Sequence, residues 1–155
     1  MRSHLATAAA LVAISGTLAC ATGRPADETA AVPRGWPLAR DAAVITSTFG
    51  ADRGRSRHEG IDLSAPAGTR VAATAEGVVS TAERWGDFGR VVVIDHGNGW
   101  QTLYAHLKSI KVKRGRRVKR GAVIGTVGKS GNATGNHLHY EIRHNGAAVD
   151  PRSYF

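Results

Sequence analysis

Thr134-Gly135-Asn136-His137-Leu138-His139-Tyr140-Glu141-Ile142 is the stretch from which the rest of the chain can be read. The pattern predicts a strand over residues 137–143. Side chains two apart on a strand share a face, so His137 and His139 converge on one spot. Imidazole is the commonest protein ligand for zinc-like cations and the commonest general acid or base at neutral pH. A His-x-His pair arises often without any chemistry, so its meaning depends on its partners. His58, Asp62 and His106 lie upstream with the groups that such a site still lacks.

Working outward from that strand, the pattern is β throughout. Short strands are expected over residues 44–48, 69–74 and 77–81, the last two punctuated by Glu76-Gly77. Residues 90–94 are rich in branched side chains and read as a buried strand. Asn98-Gly99 is a strong hairpin turn, from which residues 100–106 return. Gly115 and Gly121 flank a short piece around Val118, and residues 122–127 form another strand. Nineteen glycines suit many tight turns. Neither helical periodicity nor a repeat of fixed period is present. Residues 36–155 thus read as one all-β domain, long enough to close a single core.

The segment ahead of that domain is of a different kind. Arg2 is followed by an apolar run, residues 5–14 (LATAAALVAI), of signal-peptide length and too short to span a bilayer. It leads to Cys20, the only cysteine. Thr17-Leu18-Ala19-Cys20 has the form of a bacterial lipobox, which would lipidate Cys20 and anchor the protein to a membrane. Ala19-Cys20-Ala21 also suits ordinary secretory cleavage after Ala21. Either way, residues 1–20 are expected to direct export to the cell envelope. Residues 21–35 (ATGRPADETAAVPRG) read as a flexible tether. No cysteine remains for a disulfide, which leaves core packing and a bound metal as sources of stability.

The formal net charge is +9, and loss of Arg2 with residues 1–20 lowers it by one, to +8. Such a charge attracts anions. Nucleic acid is not the expected partner, because no aromatic platform is interleaved with the charge and the chain is read as exported. Residues 108–120 concentrate the cations. They fit either a solvated loop face or an electrostatic contact with anionic lipid or wall polymer.

His58-Glu59-Gly60-Ile61-Asp62 has the form His-x-x-x-Asp, in a loop that runs into an extended segment, with Gly60 allowing a turn. His58, Asp62 and one histidine of the 137/139 pair would supply two nitrogens and one carboxylate oxygen. Three protein ligands with a fourth position free for water is the pattern of a catalytic zinc site. The remaining histidine would stand beside that water, able to move protons or to hydrogen-bond an oxyanion. His106 ends a strand on the same face as Tyr104 and is a second such imidazole.

The chain resembles the lysostaphin-type (LytM-like) zinc metallopeptidases of bacterial cell walls. The resemblance is carried by Thr46-Ser47-Thr48-Phe49-Gly50, His58-Glu59-Gly60-Ile61-Asp62-Leu63, Ala67-Gly68-Thr69-Arg70-Val71, Asp95-His96-Gly97-Asn98-Gly99, Tyr104-Ala105-His106-Leu107, Gly125-Thr126-Val127-Gly128 and Gly135-Asn136-His137-Leu138-His139-Tyr140-Glu141, in the family's order and spacing. It implies a sandwich-like antiparallel β domain with a narrow groove over one zinc ion. The implied ligands are His58, Asp62 and His139, and the implied catalytic histidines are His106 and His137. It further implies a monomeric endopeptidase that cleaves cross-link or stem peptides of peptidoglycan. Some relatives have lost metal ligands and activate wall amidases instead, whereas all five residues are present here. Arg70 and Asn136 stand where the family more often has proline, and both are expected at the groove's edge.

Of the remaining residues, Glu141 shares strand parity with His139 and is expected to orient it, whereas Glu59 lacks that geometric argument. His96 is expected to be structural and His144 solvated. Trp36 is expected to pack and Trp85 to stand at the groove rim.

Overall fold

The computed structural model describes residues 31–54 and 56–155. Cys20, the predicted signal segment and the tether up to residue 30 lie outside the described residues. Eleven strands follow one another: β1 Val44–Ser47, β2 Ile61–Ser64, β3 Arg70–Ala72, β4 Gly77–Trp85, β5 Gly89–Gly97, β6 Trp100–Ala105, β7 Leu107–Ile110, β8 Arg117–Val118, β9 Val123–Val127, β10 His137–His144 and β11 Ala147–Val149. Helical structure among the described residues is confined to three 3-10 segments, Arg40–Ala42, Gly86–Phe88 and Pro151–Tyr154.

All strand pairings are antiparallel. The larger sheet has the order β1-β2-β10-β6-β5-β4-β8, with β11 beside the end of β10, and the smaller has the order β3-β9-β7. The all-β, sandwich-like antiparallel architecture is therefore as expected. One face of the large sheet contributes Ile61, Leu63, Ile94, Leu138 and Tyr140 to the main core, where Val71, Leu107, Ile124 and Val127 of the small sheet meet them. Burying each such side chain is worth about 1.5–3 kcal/mol, so this contact fixes which face of each strand points inward. Two tyrosine hydroxyls lie inside that core. Thr74 bonds both, at 3.1 Å to Tyr104 and 2.8 Å to Tyr140, so neither is buried unsatisfied. The opposite face carries a smaller apolar cluster of Val91, Leu103 and Ala105, flanked by Phe88 and Val93.

The hairpin predicted at Asn98-Gly99 joins β5 to β6, and both residues have positive φ (46° and 78°), as a type I′ turn requires. β4 and β5 run further than their branched residues suggest, because their ladder continues through Glu83 opposite Val91 to Trp85 opposite Gly89. β2 is the extended segment expected after Gly60, whereas β7 and β11 go beyond the sequence reading. Each is short, and β7 follows β6 with no Gly, Pro or Asn to mark the break. The break is His106, whose φ of 59° lets the chain leave the large sheet and enter the small one. Gly60 also differs from expectation. Its φ is not positive, but a Cβ there would sit 2.3 Å from the Tyr140 carbonyl oxygen. Glycine is needed for close approach to β10, not for a turn.

His96 and His144 separate in role. His96 is buried, with Nδ1 2.6 Å from the Glu76 carbonyl and Nε2 2.8 Å from Thr102 Oγ1, in keeping with a structural residue. His144 was expected in solvent, but it stacks on Trp100 with ring centroids 4.1 Å apart. Trp36 packs as expected, stacked on Phe155 at 4.7 Å. Burial pushes the pKa of His96 below the ordinary histidine value of 6.5, partly offset by the Glu76 carbonyl and by Asp95. The folded state therefore takes up a proton less readily than the unfolded chain, and this contribution to stability is lost as pH falls below 6.5. The drop in thermal midpoint between about pH 7.5 and about pH 5.5 should be smaller in His96→Gln than in the wild type, measured by circular dichroism melts.

Candidate metal centre

The site lies on the outer face of the large sheet, and strand register assembles it. His139 on β10 pairs with Asp62 on β2 on one side and with Ala105 on β6 on the other. Tyr140 and Leu138 alternate into the core, so His139 and Asp62 must both face outward. His58 precedes β2 and is tied down at its backbone, its N–H donating to the Ala51 carbonyl at 2.9 Å.

Three donor atoms meet there. Asp62 Oδ1 lies 2.9 Å from His139 Nδ1 and 3.1 Å from His58 Nε2, and the two nitrogens are 3.0 Å apart. The far side of each group is already engaged. His58 Nδ1 lies 2.9 Å from the Thr48 carbonyl, which can only accept. His139 Nε2 lies 2.8 Å from Glu141 Oε1, and Asp62 Oδ2 takes a 2.6 Å ion pair from Arg53. In their neutral tautomers both imidazoles thus present lone pairs toward Asp62 Oδ1. Three lone-pair atoms at this spacing repel one another unless a cation sits among them. Donors around a tetrahedral zinc ion with bonds of about 2.0–2.1 Å stand roughly 3.3 Å apart, so His58, Asp62 and His139 suit such an ion.

The electrostatics agree. Burial opposes ionisation of Asp62, but bonds from His139, His58 and Arg53 outweigh it and hold the carboxyl far below the usual carboxylate range. Burial likewise opposes protonation of His139, and Asp62 and Glu141 outweigh it, raising the ring's pKa above the ordinary value. Both shifts express one demand for positive charge among these three groups. Glu141 itself is almost wholly buried, which would cost several kcal/mol for an unpaired carboxylate. His139 and Arg143 compensate it, with Arg143 Nε at 2.6 Å, and lower its pKa against the effect of burial. Glu59 joins one step further out, accepting from Arg143 Nη2 at 2.9 Å.

His137 and His106 stand beside this triad. His137 Nε2 is 3.9 Å from Asp62 Oδ1, and its Nδ1 lies 3.0 Å from the Gly135 carbonyl. The His106 ring lies 4.7 Å from that of His137 and 6.0 Å from that of His139. Its Nδ1 bonds the Ser130 carbonyl at 2.9 Å, and its own N–H bonds the Phe88 carbonyl at 2.9 Å. Strand parity would have sent His106 into the core with Tyr104. The positive φ reverses that direction and corrects the expectation of a shared face. Burial pushes the pKa of His106 below the ordinary value, offset in part by Ser130. Burial thus favours the neutral ring, whose Nδ1–H faces the Ser130 carbonyl and leaves the lone pair on Nε2.

A cavity of about 400 Å³ over the triad is lined by all five residues and by Arg53 and Phe88. Trp85, 49% exposed, lies 5.8 Å from Phe88 and lines a further cleft of about 180 Å³ with Gln101, Leu103 and Arg143. Arg70 is not at the groove edge, since β3 belongs to the small sheet across the core, and Asn136 does not line the cavity. Sequence reasoning missed Arg53, Phe88 and Ser130. They reach the site by backbone carbonyls or from a loop, and no spacing rule marks such contacts.

The family model described as Peptidase family M23 matches residues 56–151, and the chain belongs to that family. It is 51% identical over 96 residues to DD-carboxypeptidase/endopeptidase Mpg of Neisseria meningitidis, covering 62% of this chain and 22% of the relative. It is 44% identical over 93 residues to peptidoglycan DD-endopeptidase ShyA of Vibrio cholerae, covering 60% of this chain and 22% of that protein. A crystal structure of a zinc-containing peptidase from Vibrio cholerae superposes with a TM-score of 0.72 at 33% identity, covering 77% of this chain and 39% of the other. The chain spans about a fifth of the length of these curated relatives.

The purified protein should bind one equivalent of zinc in a competition titration against a chromophoric chelator. Asp62→Ala and His139→Ala should each abolish binding. Glu141→Gln should weaken it by roughly 10–100-fold, as loss of a hydrogen bond behind a ligand imidazole does.

Proposed function

We propose that this protein is a zinc-dependent endopeptidase of the bacterial cell envelope, hydrolysing cross-link or stem peptides of peptidoglycan. The observation that carries this reading is the convergence of His58, Asp62 and His139 within 4.8 Å of one another, with two further imidazoles beside them. Relatives named as DD-endopeptidases support DD cross-links as the bond attacked. The +9 charge suits an anionic wall. Export through residues 1–20, with Cys20 as the lipidated residue, belongs to the same reading.

In this mechanism His58, Asp62 and His139 hold the metal. The bound ion supplies Lewis acidity, polarising the scissile carbonyl and lowering the pKa of water toward ~7. Arg53 keeps the second oxygen of Asp62 occupied, and Glu141 keeps His139 in the tautomer that offers Nδ1. One of His106 and His137 accepts the proton of the attacking water through its free ring nitrogen and returns it to the departing amine. The other, in its imidazolium form, donates Nε2–H to the carbonyl oxygen as charge accumulates there. Phe88 covers one side of His139, with ring centroids 5.7 Å apart, and limits water at the reacting centre.

Digestion of purified peptidoglycan, followed by mass analysis of the fragments, tests this reading. Cross-linked fragments should fall to uncross-linked ones, a chelator should stop the reaction, and added zinc should restore it. His106→Ala and His137→Ala should keep the zinc equivalent yet lose turnover by about 10²–10⁴-fold. A wild-type protein that binds zinc, cleaves nothing and stimulates a wall amidase would overturn the peptidase reading in favour of a regulator.

A further inference from the structure

The strongest charge on the molecule lies away from the metal centre. Residues 108–120 carry eight Lys and Arg and no Asp or Glu. All eight side chains are exposed. Among the described residues none of them forms an ion pair, whereas Arg53, Arg143 and Arg152 each do. Mutual repulsion among unpaired cations disfavours the compact state, so the cluster has no structural advantage to explain it.

Its position suggests what it meets. β8, in the middle of this run, forms one edge of the large sheet, four strands from β10. At about 4.8 Å per strand that is roughly 19 Å from the metal centre. The chain enters the domain at the same edge. The Arg34 N–H donates to the Thr74 carbonyl at 3.1 Å and the Gly35 N–H to the Tyr154 carbonyl at 2.7 Å. A Cβ on Gly35 would lie 3.0 Å from Arg120 Nη2. Ala31 lines one cavity wall with Arg117 and Lys119. Arg34, exposed, adds a further cation there. Whatever reaches the domain through residue 31 arrives among these side chains.

We propose that this cationic edge, centred on Arg117, Lys119 and Arg120, docks the domain on an anionic lipid surface beside its own anchor and keeps the metal centre four strands away from that contact. The inference rests on the reading of residues 1–20 as an export segment with Cys20 as its anchor. Residues 21–35 are fifteen in number and span at most about 50 Å. That short reach holds the edge at high local concentration over the headgroups, so weak individual contacts suffice. Each cation near an anionic bilayer contributes about fivefold in affinity.

The test uses the unlipidated protein from residue 21 on, which retains all the described residues and hence every strand and core residue described among them. It is sedimented with vesicles of phosphatidylcholine alone, or of phosphatidylcholine with about one-third phosphatidylglycerol. Binding to the anionic vesicles only, released by added salt, is expected. Arg117→Gln/Lys119→Gln/Arg120→Gln should weaken that binding by at least about tenfold. Arg70→Gln/Arg84→Gln/Arg90→Gln, which removes equal charge elsewhere, should bind within about twofold of the wild type. Equal losses in the two triple variants would make binding a matter of net charge and overturn the proposal. So would binding to a soluble polyanion, inorganic polyphosphate, without binding to anionic vesicles, which would mark a polymer site instead. Because the assay needs neither zinc turnover nor a lipid anchor, its failure leaves the peptidase reading standing.

Discussion

The pairing of His139 with Asp62 across β10 and β2 is the constraint on which the site depends. The side-chain period of a strand is two, so a slip of one residue would turn every outward group inward. The register is held from the other face. Leu138 opposes Leu63 and Tyr140 opposes Ile61, and all four are buried in the core. The apolar contacts thus determine the position of the polar ones, and the polar groups need supply little stability of their own. Gly60 belongs to the same constraint, because only a residue without Cβ lets the chain between His58 and Asp62 pass so close to Tyr140.

Charge is then arranged in alternation along the outer face. Arg53 holds Asp62, His139 stands between Asp62 and Glu141, and Arg143 stands between Glu141 and Glu59. Removing one buried member would leave its neighbour charged and uncompensated, which is far more costly than losing an exposed pair. This alternation sets the tautomer of His139 and the free oxygen of Asp62 before any metal arrives, and the Thr48 carbonyl sets the tautomer of His58. A site so prepared has little reorganisation left to do at the moment of binding or of reaction.

The large sheet therefore has three separate surfaces. Its inner face makes the core with the small sheet, its outer face carries the histidines, and its β8 edge carries exposed cations where the chain enters. The separation has a physical basis. A cluster of unpaired cations beside the ligands would weaken binding of a metal ion, whereas the Arg53 charge there is offset by Asp62. Exposed cations clustered about four strands away, roughly two Debye lengths at physiological salt, are largely screened from the site.

The sequence by itself determined the β class, the hairpin at Asn98-Gly99, the extent of the strand bearing His137 and His139, and the five side chains now found around one cavity. These are legible because alternation, turn chemistry and the spacing of titratable residues are local properties. Glu141 was legible for the same reason, through its parity with His139. Only the tertiary structure decided that His106 turns toward the other histidines, since that depends on one positive φ at the junction of two sheets. Only it could bring in Arg53, the Ser130 carbonyl and Phe88, or carry Arg70 away from the groove. Those placements arise from the packing of segments distant in sequence, and no local period encodes which distant backbone atom a side chain will meet.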